Sequence, residues 1–88
     1  MSLNFEAIEW LDHCTFADNS WRSEQSVKEL EPVKVLTLGF IVHETKDWVT
    51  VVSTIGNNGA LSGEFLILKK VIINRKKIKL PIKGWQKG

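Results

Sequence analysis

Cys14 is the single cysteine among 88 residues, so no intramolecular disulfide can form. Nothing therefore points to an oxidising compartment. No stretch approaches the roughly eighteen apolar residues of a membrane-spanning helix, and Met1-Ser2-Leu3-Asn4 lacks the basic and apolar regions of a signal peptide. The expectation is a cytoplasmic protein with no membrane partner. Catalytic signatures are lacking too. Gly56, Gly59 and Gly63 neither precede a helix nor carry the Gly-Lys-Ser/Thr of a phosphate loop. Asp12, His13, Cys14 and Asp18 lack any C-x-x-C or H-x-x-x-H spacing, and a structural zinc wants four ligands. Cys14 with His43 as a nucleophile and base is a pairing that any chain with one Cys and two His permits. Glu6 and Glu9 read as a solvated face rather than an acid–base pair. The chain is thus expected to be no enzyme, with no catalytic residue, no metal and no cofactor.

Acids are missing from one whole region. Residues 69–88 hold Lys69, Lys70, Arg75, Lys76, Lys77, Lys79, Lys83 and Lys87 with no Asp or Glu. Residues 1–31 hold Glu6, Glu9, Asp12, Asp18, Glu24, Glu29 and Glu31 against Arg22 and Lys28. The net charge of +2 conceals this split. It points to a polyanion partner for the basic end, or to head-to-tail contact between copies. The plainer alternative is a solvated basic tail and an edge strand kept soluble by lysines.

What is present is hydrophobic. An apolar content of 43% with four Trp and four Phe supplies a core and argues against disorder. The length makes one domain near the low end of what folds unaided. In Val35-Leu36-Thr37-Leu38-Gly39-Phe40-Ile41-Val42 both strand faces are apolar, whereas a strand with one wet face should alternate. Either the sheet curls into a small barrel or another copy covers the second face. Gly39 fits a bulge or sharp bend there.

Before that strand, Phe5-Glu6-Ala7-Ile8-Glu9-Trp10-Leu11 is ambiguous between strand and helical turn. Ser23 sits where an N-cap belongs, with Glu24 in the first turn, and Pro32 forbids continuation. A short helix over about 23–30 follows, needing Val27 and Leu30 packed on a sheet. Trp10, Phe16 and Trp21 are expected to clamp it there. From 33 onward everything reads as strand. Residues 33–43 lead through the polar break Glu44-Thr45-Lys46-Asp47 into a β-branched strand over 48–55. After the loop at Asn58-Gly59 come Phe65-Leu66-Ile67-Leu68 and Val71-Ile72-Ile73, divided by Lys69-Lys70, and Ile78-Lys79-Leu80 extends the last strand. Residues 1–80 form the domain and 81–88 a basic flexible tail carrying Trp85.

A short helix before a strongly bent strand with a mid-strand glycine resembles the Sm/LSm barrel. A more specific resemblance is to small phage and marine-metagenome proteins of Sm-like fold. It rests on Trp10-Leu11-Asp12, Trp21, Leu30-Glu31-Pro32, Leu38-Gly39-Phe40-Ile41-Val42, Glu44-Thr45-Lys46-Asp47, Leu66-Ile67-Leu68-Lys69 and Val71-Ile72, over about residues 8–80. The resemblance implies a mostly β, five-stranded bent barrel with a short N-terminal helix. It also implies a cytoplasmic protein of phage origin, in the host cytoplasm, that assembles as a homo-oligomeric ring of about five to seven copies. In such rings the last two strands of neighbouring subunits pair edge to edge, and two pore loops bind RNA. Here those loops correspond to 44–48 and to Lys69-Lys70. Lys69-Lys70 stand where the family has Arg-Gly, which keeps charge but not a stacking guanidinium.

The expected function is binding of RNA or single-stranded DNA. Lys46, Lys69, Lys70, Arg75, Lys76 and Lys77 are the candidate phosphate contacts, because neutralising a backbone needs only positive charge. Trp48, next to that loop, is the candidate for stacking on a base. The alternative is a structural or protein-interaction module that binds no nucleic acid.

Overall fold

The computed structural model describes residues 3–12, 21–80, 82 and 85. The elements are β1 (Phe5–Asp12), α1 (Glu24–Lys28), β2 (Val33–Glu44), β3 (Trp48–Val52), β4 (Thr54–Ile55), β5 (Leu61–Ser62), β6 (Phe65–Leu68), a 3-10 turn (Lys69–Val71) and β7 (Ile72–Lys77). Five strands form one antiparallel sheet in the order β6-β3-β2-β1-β7, and β4 with β5 makes a small separate hairpin. The protein is mostly β.

The long strand β2 serves two neighbours. Residues 33–40 pair with β1, residues 40–44 pair with β3, and the register shifts between Ile41 and His43. That shift sets Glu44 opposite Val49, on the face that Val49 buries. The bulge therefore falls at Val42, three residues beyond Gly39. Gly39 is required for a different reason, since a Cβ there would overlap Val51 Cγ1 and lie 2.9 Å from the Val52 carbonyl oxygen. Only a glycine lets β3 approach so closely.

The sheet is sharply curled. β6 and β7 lie at opposite edges, yet only the three-residue turn Lys69–Val71 joins them. Such a link spans about 14 Å at most, less than the ~19 Å across five flat strands. Across the concave side, Trp10 of β1 meets Phe65 of β6 with ring centroids 5.5 Å apart. Ile8, Trp10, Val49, Val51 and Ile67 form the buried core, with Val35, Ile41, Val71 and Ile72 packed against it. The Trp10 indole N–H donates to Thr37 Oγ1 at 2.9 Å, so its polar atom is satisfied.

Several expectations need correction. The barrel is not closed: β6, only four residues long, ends at the turn, and no ladder joins it to β7. The helix is not N-terminal either, because β1 precedes it inside the sheet. The helix spans five residues, Glu24–Lys28, rather than 23–30. Ser23 does cap it, accepting from the Ser26 N–H at 3.1 Å. Yet none of its residues is buried, Val27 and Leu30 are exposed, and Trp21 is fully exposed. One turn of helix presents too little apolar surface to hold itself on a sheet. Trp10 serves the core instead of clamping the helix, and Phe16 lies outside the described residues.

The strand expected over 48–55 breaks at Ser53, whose N–H turns to the Ser62 carbonyl, leaving β3 and β4. Gly63, at φ +72°, leaves room there for the Ser53 hydroxyl. The loop around Asn58-Gly59 closes the β4–β5 hairpin, with the Gly56 N–H donating to the Ala60 carbonyl at 2.8 Å. The final strand ends at Lys77 rather than extending through Ile78-Lys79-Leu80. Of the tail, only Ile82 and Trp85 are described. With Phe40, Ile55 and Leu80 they line an apolar pocket of about 160 Å³. Among the described residues no helix is long and apolar enough to cross a membrane.

Candidate nucleic-acid interface

The hairpin loop between β2 and β3 is organised by one threonine. Thr45 Oγ1 accepts from the Asp47 and Trp48 N–H groups, each at 3.1 Å, and the Thr45 N–H donates to the Trp48 carbonyl at 2.9 Å. A hydroxyl that satisfies the following amides is what suits threonine to such a turn. The Lys69 N–H then donates to the Asp47 carbonyl at 2.8 Å, seating the 3-10 turn on this loop. Trp48 is paired across the ladder with Leu68. Lys46, Asp47, Leu68, Lys69 and Lys70 thereby line a shallow hollow of about 290 Å³.

A chain of charges starts at Lys69 on the hollow and runs onto the core side of the sheet. Lys69 Nζ lies 2.7 Å from Glu44 Oε2. Both Arg75 Nη atoms donate to Glu44, at 3.1 and 3.0 Å. Arg75 also donates to Glu6, from Nε at 2.8 Å and from Nη2 at 3.0 Å, while Asn4 Nδ2 donates to Glu6 at 2.9 Å. Glu6 is only 4% exposed. Hydrogen bonding from Arg75 holds its carboxyl below the usual range, against the opposing effect of burial. Arg75 and then Lys69 draw Glu44 down to about 2. The two carboxylates in turn push the Arg75 guanidinium above its ordinary value.

These contacts sort the seven expected site residues. Lys46, Trp48, Lys69 and Lys70 come together around the two loops. Lys69 and Arg75 are already engaged by carboxylates. Lys46, Lys70, Lys76 and Lys77 are exposed, and among the described residues no ion pair engages them. Lys76 and Lys77 lie apart on β7, opposite Ala7 and Glu6. Trp48 is half-buried beside Leu68.

Glu6, expected with Glu9 on a solvated face, is instead buried and bound to Arg75, and with Glu44, which the sequence does not single out, it organises this region. Their signal exists only in the strand register, which turns each carboxylate inward where an arginine from a distant strand meets it. Among the described residues no group of three or more His, Cys, Asp or Glu could hold a metal ion. His13, Cys14 and Asp18 lie outside the described residues.

Fold and site together define a small antiparallel β protein with a basic hollow at one end of its curled sheet. Comparison with protein-family models, with curated proteins and with solved structures finds no match to this chain.

Proposed function

We propose that this protein binds single-stranded nucleic acid, RNA or DNA, through its phosphates at the hollow between the two loops, as an Sm-like ring-forming subunit. The observation that carries this reading is the meeting of Lys46 with Lys69 and Lys70 around one concavity, although the loops lie far apart in sequence. Phosphate neutralisation asks only for charge, and Lys46 and Lys70 offer it without an ion pair among the described residues. Lys69, held by Glu44, fixes the shape of the turn and contributes less. Trp48 supplies a ring for a base to stack on. Asp47 lies in the same hollow, so one subunit binds weakly and a ring multiplies the contacts. The free edges β6 and β7 suit the edge-to-edge pairing of such a ring. Phage origin and a place in the host cytoplasm belong to the same proposal.

Fluorescence anisotropy with short labelled oligonucleotides, at low and then moderate salt, tests it. Affinity that falls steeply with salt supports the reading. Absence of binding at low salt, or affinity indifferent to salt, rejects it. A second reading, an assembly module without nucleic acid, is favoured by the apolar side chains left exposed on the outer face: Leu36, Leu38, Leu66 and Leu68. A stable oligomer with no oligonucleotide affinity would select it.

A further inference from the structure

We infer that the arm at residues 21–31 of one copy docks on the outer β1–β2 face of a second copy of this chain. The face is set by register. Leu38 lies opposite Ala7, Leu36 opposite Glu9 and Lys34 opposite Leu11, all turned away from the core side that Ile8 and Trp10 occupy. Leu36 is 64% exposed and Leu38 53% exposed, and Leu11 beside them is exposed too. β3 does not extend this far, since its pairing with β2 begins at Phe40. The strip is apolar and open.

The arm has the opposite problem. Trp21 is 102% exposed, Val27 50% exposed and Leu30 44% exposed. A five-residue helix gains little stability from its own hydrogen bonds, so it needs outside burial to persist. Trp21 alone offers about 200 Å² of surface to bury. The molecule is drawn out to 54 Å in its longest direction, with a radius of gyration of 17.0 Å. A compact chain of this length has about 12 Å. No residue of α1 is buried, so the apolar side chains of the arm stay largely in solvent.

Charge selects the occupant. Within α1, Glu24 is paired with Lys28, which leaves Glu29 and Glu31 as the acids beside Leu30. The outer strip is flanked by Lys34 and Lys76, with Glu9 as its one acid among β1 positions opposite the strip. An apolar arm edged by carboxylates thus fits an apolar strip edged by ammonium groups, and both lie on the same polypeptide. Each copy gives one arm and receives another, so both apolar surfaces are covered throughout an assembly. This contact does not depend on nucleic-acid binding and would stand without it.

Zero-length carboxyl-to-amine crosslinking of the native chain, mixed in equal amounts from unlabelled and ¹⁵N-labelled preparations, tests the contact by mass spectrometry. Crosslinks from Glu29 or Glu31 to Lys34 or Lys76 that carry one label of each kind support it. In the doubly substituted variant Leu36→Lys, Leu38→Lys those mixed-label crosslinks should fall at least ~10-fold. Crosslinks confined to single-label pairs would place the arm on its own chain and overturn the inference. So would mixed-label crosslinks that persist undiminished in the variant, or an arm that yields none. Should that variant lose its β-sheet circular dichroism, Leu36→Gln with Leu38→Gln replaces it and must show the same loss.

Discussion

Arg75 on the edge strand β7 grips Glu6 on β1 with two donors, Nε at 2.8 Å and Nη2 at 3.0 Å, while Nη1 and Nη2 hold Glu44. One guanidinium thus ties the first strand, the end of the bent strand and the last strand together where no β6–β7 ladder closes the sheet. Its planar fork suits this position, because five fixed donors can serve two carboxylates at once.

Removing Arg75 should therefore harm stability more than the loss of a surface ion pair. Arg75→Ala leaves Glu6 buried without its main partner and should cost about 3 kcal/mol. Arg75→Lys keeps the charge but loses the fork, and should recover only part of this. Urea denaturation followed by circular dichroism measures both.

Acid should act through the same group of residues. Glu6 and Glu44 are held below their ordinary value of 4.5, Glu44 down to about 2. The unfolded chain therefore binds more protons than the folded one in this range, so stability rises with pH there. The contribution is complete above about 4.5 and is lost as pH falls from there towards 2. A plot of urea midpoint against pH should show that decline, and Arg75→Met should flatten it.

Gly39 should tolerate no side chain. Gly39→Ala would press a methyl group into Val51 Cγ1 and against the Val52 carbonyl. The cost should be about 1–3 kcal/mol, typical of overpacking. Thermal unfolding compared with the parent chain reads it.

The contrast between β2 and β1 explains what could be read beforehand. β2 announces itself because Leu36, Leu38 and Phe40 on one face and Val35 and Ile41 on the other are local, and the Thr45-Lys46-Asp47 turn follows at once. β1 stays ambiguous because its inward positions are Glu6, Ile8 and Trp10, and a charged residue breaks the apolar alternation. That Glu6 faces inward makes sense only with Arg75, which lies 69 residues away. For the same reason the sequence does not show that Arg75 is engaged by carboxylates: its counter-charges come from two other strands. The grouping of Lys46 with Lys70 rests on the resemblance to Sm-type pore loops, and both residues line one hollow. The exposure of α1 is not legible in the sequence, because capping signals mark where a helix starts and not whether anything covers it.

Because Lys69 belongs to the internal ion network, its reversal would disturb the fold as well as the surface. Lys46→Glu with Lys70→Glu is the cleaner change, since both residues are exposed and unpaired among the described residues. Oligonucleotide affinity should fall ~10-fold or more at low salt, and the slope of log affinity against log salt should become shallower by roughly one to two. Circular dichroism should stay unchanged.

The central claim is that copies of this chain assemble and cover the apolar outer face that a single copy exposes. Light scattering coupled to size exclusion, at micromolar concentration and moderate salt, tests it most directly. The account predicts a stable mass that is a multiple of 10.0 kDa. A homogeneous 10.0 kDa species across that concentration range would contradict it.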